Sequence, residues 1–235
     1  MPAFKKLGPK EVALAACFAA LYVVLSFVPM FPLLGAFQNI TAAAIVAPLI
    51  GIMLGAYLGA ISTFLGGIVS LSLNISLPMS LAAGVIGAVC AGLLYTNRRT
   101  LCALTYLTLL LIFGAYPSVG PVWSFPQIMW FHIIGLLILV SPLQSAASNN
   151  FKSNKATRLL FAFFITSLTS TLAGQIAGNI VFETLFDPRT IWPVLTFVYP
   201  FERTIIALIA AFIGVPLFET LKTANLINVA QRLKK

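Results

Sequence analysis

The sequence predicts an all-α fold, a polytopic transmembrane helical bundle in which all 235 residues form one integral membrane domain. Hydrophobic residues make up 60% of the chain and charged residues only 8%, whereas soluble domains carry about a quarter charged residues. The 16 glycines and 14 prolines are spread through the apolar runs, which transmembrane helices tolerate. The alternating pattern of a transmembrane β-barrel is absent from the sequence.

The first half of the chain predicts four membrane spans, because about 20 helical residues cross the ~30 Å hydrocarbon core. The first span covers residues 11–28 and is followed by a charge-free loop that contains Gln38 and Asn39. The apolar run 40–73 would extend ~50 Å as one helix, so we expect it to turn between Gly51 and Ala56 and to form two spans. The fourth span covers residues 78–95.

The second half of the chain predicts four more spans and brings the total to about eight. A short span and its successor, within residues 101–140, are expected to form a helical hairpin. A polar basic linker separates this hairpin from the last two spans, residues 159–183 and residues 200–221. Pro200 is expected to begin the final span.

The distribution of charge predicts the orientation in the membrane. With eight spans and a cytoplasmic N-terminus, only Arg189 and Arg203 lie outside, and the cytoplasmic side receives twelve basic residues: Lys5, Lys6, Lys10, Arg98, Arg99, Lys152, Lys155, Arg158, Lys222, Arg232, Lys234 and Lys235. Both termini are thus expected to be basic cytoplasmic tails, residues 1–10 and 223–235, of a cell-membrane protein. The net charge of +9 falls in short clusters between apolar runs, which excludes a nucleic-acid groove.

A polar stripe, Gln175, Asn179 and Glu183, recurs every four residues and therefore lies on one face of the predicted helix. Glu202 and Arg203 would open the next span close to its outer end. A charge inside the bilayer costs at least ~2.5–3.5 kcal/mol near the centre and usually faces a cavity or a partner. The stripe therefore predicts a ligand pocket. The alternative is that Glu183 pairs with Arg203 or Arg189 and that the amides only link helices, at ~0.6 kcal/mol each.

Two further side chains are candidate ligand contacts. His132 is the single histidine of the chain, and Trp130 lies two residues before it. One histidine without nearby cysteine or carboxylate spacing does not predict a metal site, so hydrogen bonding or stacking on a ligand is the functional hypothesis. The alternative for the three tryptophans is an aromatic belt at the outer interface.

The sequence carries no common enzyme signature. The motifs HExxH, GxSxG and GxxxxGK[ST] are absent, so we expect no catalysis, no resident cofactor and no ATP site on this chain. Any ATP-driven work would belong to another subunit.

Four alanines of the first span form two small-xxx-small pairs, Ala15 with Ala19 and Ala16 with Ala20. Such pairs let another helix backbone approach closely. Either a partner subunit or a helix of this chain could use them.

The order of these features resembles the substrate-binding S component of energy-coupling factor vitamin transporters. The resemblance runs through LAACFAALYVVLSF, APLIGIMLGAYLGAISTFLGG, LPMSLAAGVIGAVCAGLLYTNRR and VYPFERTIIALIAAFIG. It implies that the AxxxA face of the first helix meets a transmembrane coupling subunit, through Ala15, Ala16, Ala19 and Ala20. Members usually have six helices, so either residues 101–140 are an inserted hairpin or the count of about eight spans is wrong.

The resemblance also implies a function. A small water-soluble nutrient, such as a vitamin, would bind near the outer surface, below the loop after the first helix, at a pocket that includes Gln38, Asn39, Asn179, Glu183, Glu202 and Arg203. The loaded S component would then tilt in the lipid bilayer when it docks on a coupling subunit driven by two ATPases. An accessory or scaffold subunit and a self-contained secondary transporter remain the alternatives.

Overall fold

The computed structural model describes residues 8–32 and 39–227. Apart from one short antiparallel hairpin, β1 with β2, the elements of these residues are helices, which confirms the all-α class. In chain order they are α1 (Pro9–Ser26), β1 (Pro29–Pro32), β2 (Asn39–Thr41), α2 (Ala43–Leu54), α3 (Ala56–Ser72), α4 (Pro78–Tyr95), α5 (Arg99–Gly114), α6 (Pro121–Ser124), a 3-10 turn (Pro126–Ile128), α7 (Met129–Val140), α8 (Pro142–Asn150), α9 (Ala156–Leu185) and α10 (Trp192–Thr223).

Four of these helices, α1, α4, α9 and α10, are long and apolar enough to cross a membrane. The segment Pro126–Val140 and α8 pass the same test together but are bent by 62°, so they form a fifth candidate. The helices α2, α3 and α5 are apolar but shorter. The bundle is therefore that of a multi-pass membrane protein, and the prediction of eight spans also counts the shorter helices.

The predicted turn inside the apolar run 40–73 is confirmed and lies at Gly55. This residue ends α2 and begins α3 with a φ of 81°, a left-handed conformation that glycine adopts without steric cost. Its N–H still donates to the carbonyl of Gly51 at 2.8 Å. The chain reverses here without any additional loop.

The last helix begins earlier than the sequence suggests. The expectation that Pro200 starts the final span is wrong, because α10 already begins at Trp192 and contains Pro200 in its interior. A proline has no N–H and leaves the carbonyl four residues earlier, that of Thr196, without its helical donor. The indole Nε1 of Trp130 on α7 donates to that carbonyl at 3.1 Å and compensates the loss.

The linker predicted between residues 140 and 159 also differs, since it contains the helix α8. Gln144 of α8 is fully buried against α9, while Lys152 and Lys155 stay exposed in the connection. The predicted hairpin region 101–140 appears as α5 and α7, which pack on each other and on α9. The hydroxyl of Tyr106 on α5 donates to the carbonyl of His132 on α7 at 2.8 Å.

Helix α9 is the centre of the bundle, and 83% of its most apolar 18-residue stretch is buried. It packs most extensively on α4 and then on α10. Gly174 allows the close approach to α4, because a Cβ atom at this position would lie 2.3 Å from the carbonyl oxygen of Ala83. The backbones of the two helices therefore meet next to Gln175.

Candidate functional site

A cavity of about 90 Å³ lies among α1, α2, α4, α9 and α10. Ile40 and Thr41, from β2 and its end, also line it, so the hairpin after α1 forms one of its walls. The α4 residues that line it lie in the N-terminal half of that helix, and the α9 residues lie in the C-terminal half. The cavity thus occupies one end of the bundle, where it would hold several water molecules or one end of a small organic ligand.

Gln175 is the deepest member of the polar stripe and lines this cavity. Its side chain is 3% exposed, and neither Nε2 nor Oε1 has a hydrogen-bond partner within residues 8–32 and 39–227. The amide lies beside the hydroxyl of Tyr199 without reaching hydrogen-bond geometry. An unpaired buried polar group costs about 1–3 kcal/mol, so leaving both amide atoms of Gln175 unpaired is unfavourable.

Asn179 lies one helical turn further along α9 and is partly satisfied. Its Oδ1 accepts a hydrogen bond of 3.0 Å from the Tyr199 hydroxyl, and both residues line the cavity. The Asn179 Nδ2 has no partner in the part of the chain that the structure describes. Asn179 therefore has an unpaired donor, and its oxygen keeps one further lone pair.

Arg203 brings a positive charge to the cavity. It lies about 16 Å from the start of α10, at about 1.5 Å per residue, and is 8% exposed. Its Nη2 is 3.8 Å from Oε2 of Glu202, which is longer than the 2.7–2.9 Å of a charge-assisted hydrogen bond. Glu202 is buried but does not line the cavity. The guanidinium is thus only loosely paired on the protein side.

The position of this pair differs from the expectation, because α10 begins at Trp192. Glu202 and Arg203 do not open the last helix beside Glu183 but lie deeper, at about the depth at which Gln175 lies in α9. The earlier start of α10 therefore brings Arg203 and Gln175 to the same cavity.

Glu183 is buried, at 5% exposure, but does not line the cavity. Both of its carboxylate oxygens are without hydrogen-bond partners among the described residues, and it makes no ion pair there. The pairing with Arg203 or Arg189, which is the alternative to a ligand contact, is not formed. In the exposed loop between α9 and α10, Nη2 of Arg189 instead lies 2.6 Å from Oδ2 of Asp187. This ion pair lowers the pKa of the Asp187 carboxyl.

His132 and Trp130 are both outside the cavity lining. The imidazole of His132 is fully buried between Phe113 and Tyr199, with ring centroids 5.6 and 6.1 Å away. Its Nδ1 lies 3.3 Å from the carbonyl oxygen of Ile128. His132 therefore packs against the ring of Tyr199 outside the cavity. Trp130 links α7 to α10 through its hydrogen bond to the Thr196 carbonyl.

The loop after α1 contains two further predicted ligand contacts, Asn39 and Gln38. Asn39 is exposed in β2 and does not line this cavity, although the next two residues do; with Thr41 it lines a second, more open cavity of about 240 Å³. Gln38, also predicted to contact ligand, lies outside the described residues.

The two alanine pairs of α1 have different environments. The carbonyl of Ala15 accepts a hydrogen bond of 2.7 Å from Ser62 on α3, and the carbonyl of Ala19 lies against Gly66 of the same helix. Ala16 and Ala20 are exposed. Internal packing therefore accounts for the first pair, and the second pair is open to a partner.

Sequence reasoning missed two tyrosines of the cavity, Tyr22 and Tyr199. Tyr22 lies three residues after Ala19, on the face of α1 that packs inward, so helical periodicity could have found it. Tyr199 lies four residues before Arg203 and shares its face, but only if the helix continues through Pro200. If Pro200 began the helix, Tyr199 would lie outside it and would not share a face with Arg203.

The described residues contain no group of three or more histidine, cysteine or acidic side chains that could hold a metal ion. In comparisons with protein families, curated proteins and solved structures, nothing matches this chain.

Proposed function

We propose that this chain is the membrane-embedded, substrate-binding subunit of an ATP-driven importer and that it captures a small water-soluble, vitamin-like nutrient at the outer face. One observation carries the proposal: Gln175, Asn179 and Arg203, from two helices, line one cavity, and each has side-chain polar atoms without a hydrogen-bond partner among the described residues. A site that is mostly apolar and has a few convergent polar groups is typical of small-molecule binding.

The position of the cavity agrees with uptake from outside. Tyr22 lies near the C-terminal end of α1, while Lys10 lies at the N-terminal end of that helix. The cavity residues of α4, α9 and α10 are likewise in the halves remote from Arg98, Arg158 and Lys222. Because basic residues mark the cytoplasmic side, this arrangement supports an outward-facing cavity and cytoplasmic termini.

The resemblance to S components supports a division of labour among subunits. In this proposal α1, α2, α3, α4, α9 and α10 form the six-helix core, and α5 with α7 forms an inserted hairpin, giving eight spans. The exposed face with Ala16 and Ala20 would meet the coupling subunit, and two partner ATPases would supply the energy. The hairpin wall with Ile40 and Thr41 would move when a ligand larger than the present cavity enters.

The proposal is tested on the full chain, purified in detergent, by mass spectrometry of retained small molecules. In Asn179→Ala, the amount of retained molecule should fall at least ten times more than the yield of folded protein, both relative to the wild type. The reason is that the substitution removes a donor that orients the ligand. Thr169→Val, on the same helix but away from the cavity, is the matched control and should retain the molecule. If the wild type retains nothing, or if both variants retain it equally, the cavity is not a substrate site.

A further inference from the structure

Glu183 is a buried acidic side chain that the cavity does not use. It is 5% exposed and does not line the cavity, and neither carboxylate oxygen has a hydrogen-bond partner among the described residues. We propose that Glu183 is a proton-binding site, whose carboxyl is protonated in the folded bundle at neutral pH and whose ionisation releases the last turn of α9. The inference is independent of the proposed function, because it concerns a side chain outside the cavity.

The two buried glutamates differ in their counter-charge. Glu202 is 3% exposed, and its Oε2 lies 3.8 Å from Nη2 of Arg203. Glu183 is buried to a similar extent but forms no ion pair in the part of the chain that the structure describes. A carboxyl group that leaves water without a paired charge is more stable as the neutral acid than as the anion. Glu202 can therefore stay ionised beside Arg203, whereas Glu183 takes up a proton.

The helices that pack on α9 bring no cation to its C-terminal end. The helices α2, α4 and α8 contain no acidic, basic or histidine side chain. Glu202 and Arg203 of α10 lie at about the depth of Gln175, which is about 12 Å deeper than Glu183 at ~1.5 Å per residue. His132 of α7 is fully buried and makes aromatic contacts.

The other ionisable groups near α9 are remote, paired or uncharged. On α9 itself the other charged residue is Arg158, in the first turn and about 37 Å from Glu183. Arg99 begins α5 next to the C-terminal end of α4, at the opposite end of the bundle. In the loop after α9, Asp187 and Arg189 are exposed and pair with each other. The thiols and phenols of the packed helices are uncharged at neutral pH: Cys90, Tyr95, Cys102, Tyr106 and Tyr199.

The position of Glu183 in its helix also disfavours a negative charge. Helix α9 ends at Leu185, so Glu183 lies in the last turn, at the negative end of the helix dipole. Its carboxylate oxygens have almost no accessible surface, so a proton fits there and a metal ion with its ligands does not. Thr184 and Leu185 are exposed, so unwinding this one turn would bring an ionised Glu183 into water.

The pH dependence of stability is the first test. In the unfolded chain a glutamate loses its proton at about pH 4.3. Above that pH the folded state holds one proton more than the unfolded state at Glu183, so stability falls as the pH rises. The unfolding constant of the wild type, divided by that of Glu183→Gln, should therefore increase roughly tenfold per pH unit from about pH 5 to about pH 7. Reversible unfolding in mixed detergent micelles measures this ratio, and a ratio independent of pH would overturn the proposal.

Infrared spectroscopy of the full chain identifies the protonated group directly. At neutral pH the wild type should show the carbonyl band of a protonated carboxyl, and Glu183→Gln should lose that band. Glu202→Gln, the matched control, should retain it, because Glu202 is paired with Arg203. A wild type without the band overturns the proposal, even if a variant does not fold. Loss of the band in Glu202→Gln alone would place the proton on the other glutamate and would overturn it as well.

Hydrogen exchange tests the release of the last turn of α9. At a pH where the wild type has lost the infrared band, the amides of residues 180–186 should exchange about tenfold faster in the wild type than in Glu183→Gln. At about pH 6 the two proteins should exchange alike. Equal exchange at both pH values would overturn the link between the proton and the helix end. A band that persists at every pH at which the protein stays folded would overturn the same link, because ionisation would then require global unfolding.

Discussion

The two halves of α9 contain similar numbers of buried polar side chains, but these are mostly hydrogen-bonded in the N-terminal half and mostly unpaired in the C-terminal half. In the N-terminal half, Thr169 donates to Oε1 of Gln144 at 3.1 Å, and Nε2 of Gln144 donates to Thr166 at 3.4 Å. In the C-terminal half, Gln175 makes no hydrogen bond among the described residues, and Asn179 leaves its donor unused. Both groups are buried, at 0–1% and 3–6% exposure, so solvent exposure does not explain the difference.

The comparison distinguishes polar residues that hold helices together from polar residues that the proposed function assigns to a ligand. A membrane bundle normally satisfies its buried polar groups internally, as Gln144 does between α8 and α9. The hydroxyl of Ser167 is the exception in the N-terminal half, since it has no hydrogen-bond partner in the described ranges. It is a single small group, whereas the C-terminal half collects several unpaired groups around one cavity.

The largest expected effect comes from removing the charge of the cavity. Arg203→Met should abolish ligand retention and lower the free energy of unfolding by about 3–5 kcal/mol, because Glu202 is left buried without its counter-charge. Thermal unfolding in detergent and ligand mass spectrometry measure the two effects.

A double variant separates these two roles of Arg203. Arg203→Met combined with Glu202→Leu removes both charges and should recover most of the stability without recovering ligand retention. If stability and retention return together, Arg203 serves only to neutralise Glu202 and does not bind ligand.

An intermediate effect is expected from the satisfied half of α9. Thr169→Val removes the hydrogen bond to Gln144 and should lower the free energy of unfolding by about 1–3 kcal/mol, since a buried acceptor is left unpaired. Ligand affinity should stay within twofold of the wild type, as measured by equilibrium dialysis. A tenfold loss of affinity would show that the two halves of α9 are not functionally separate.

The smallest effect is expected at a satisfied contact on the neighbouring helix. Trp130→Phe removes the indole donor to the Thr196 carbonyl and should lower the free energy of unfolding by about 1 kcal/mol, with no loss of ligand. Adding Pro200→Ala supplies a backbone N–H for the same carbonyl and should restore the melting temperature. Failure of that rescue would mean that Trp130 contributes by packing and not by its hydrogen bond.

Local signals in the sequence were sufficient for much of the fold. A proline at the start of α4 and a polar, basic segment after its end define Pro78–Tyr95, and a glycine-rich segment marks the reversal at Gly55. The start of α10 could not be predicted in this way. Pro200 is accepted inside the helix because Trp130, 66 residues before Thr196 in the sequence, donates to the free carbonyl of Thr196, and that contact exists only in the folded bundle.

In the candidate site, too, the sequence predicts the positions that local spacing decides and not those that tertiary packing decides. The spacing of Gln175 and Asn179 places them on one helix face, and both do line the cavity. Whether Glu183 also reaches it depends on the rotation of α9 against its neighbours, which no local pattern specifies. For His132 the decisive fact is the position of Tyr199, which lies between the imidazole and the cavity residue Asn179.

Gly55 carries a consequence for how such sequences can diverge. A Cβ atom at this position would meet no other atom within 4 Å, so the requirement for glycine comes entirely from the φ of 81°. The constraint belongs to the chain reversal and is independent of whatever the cavity binds. Proteins that share this bundle but have changed their ligand during evolution would therefore retain Gly55 and exchange Gln175.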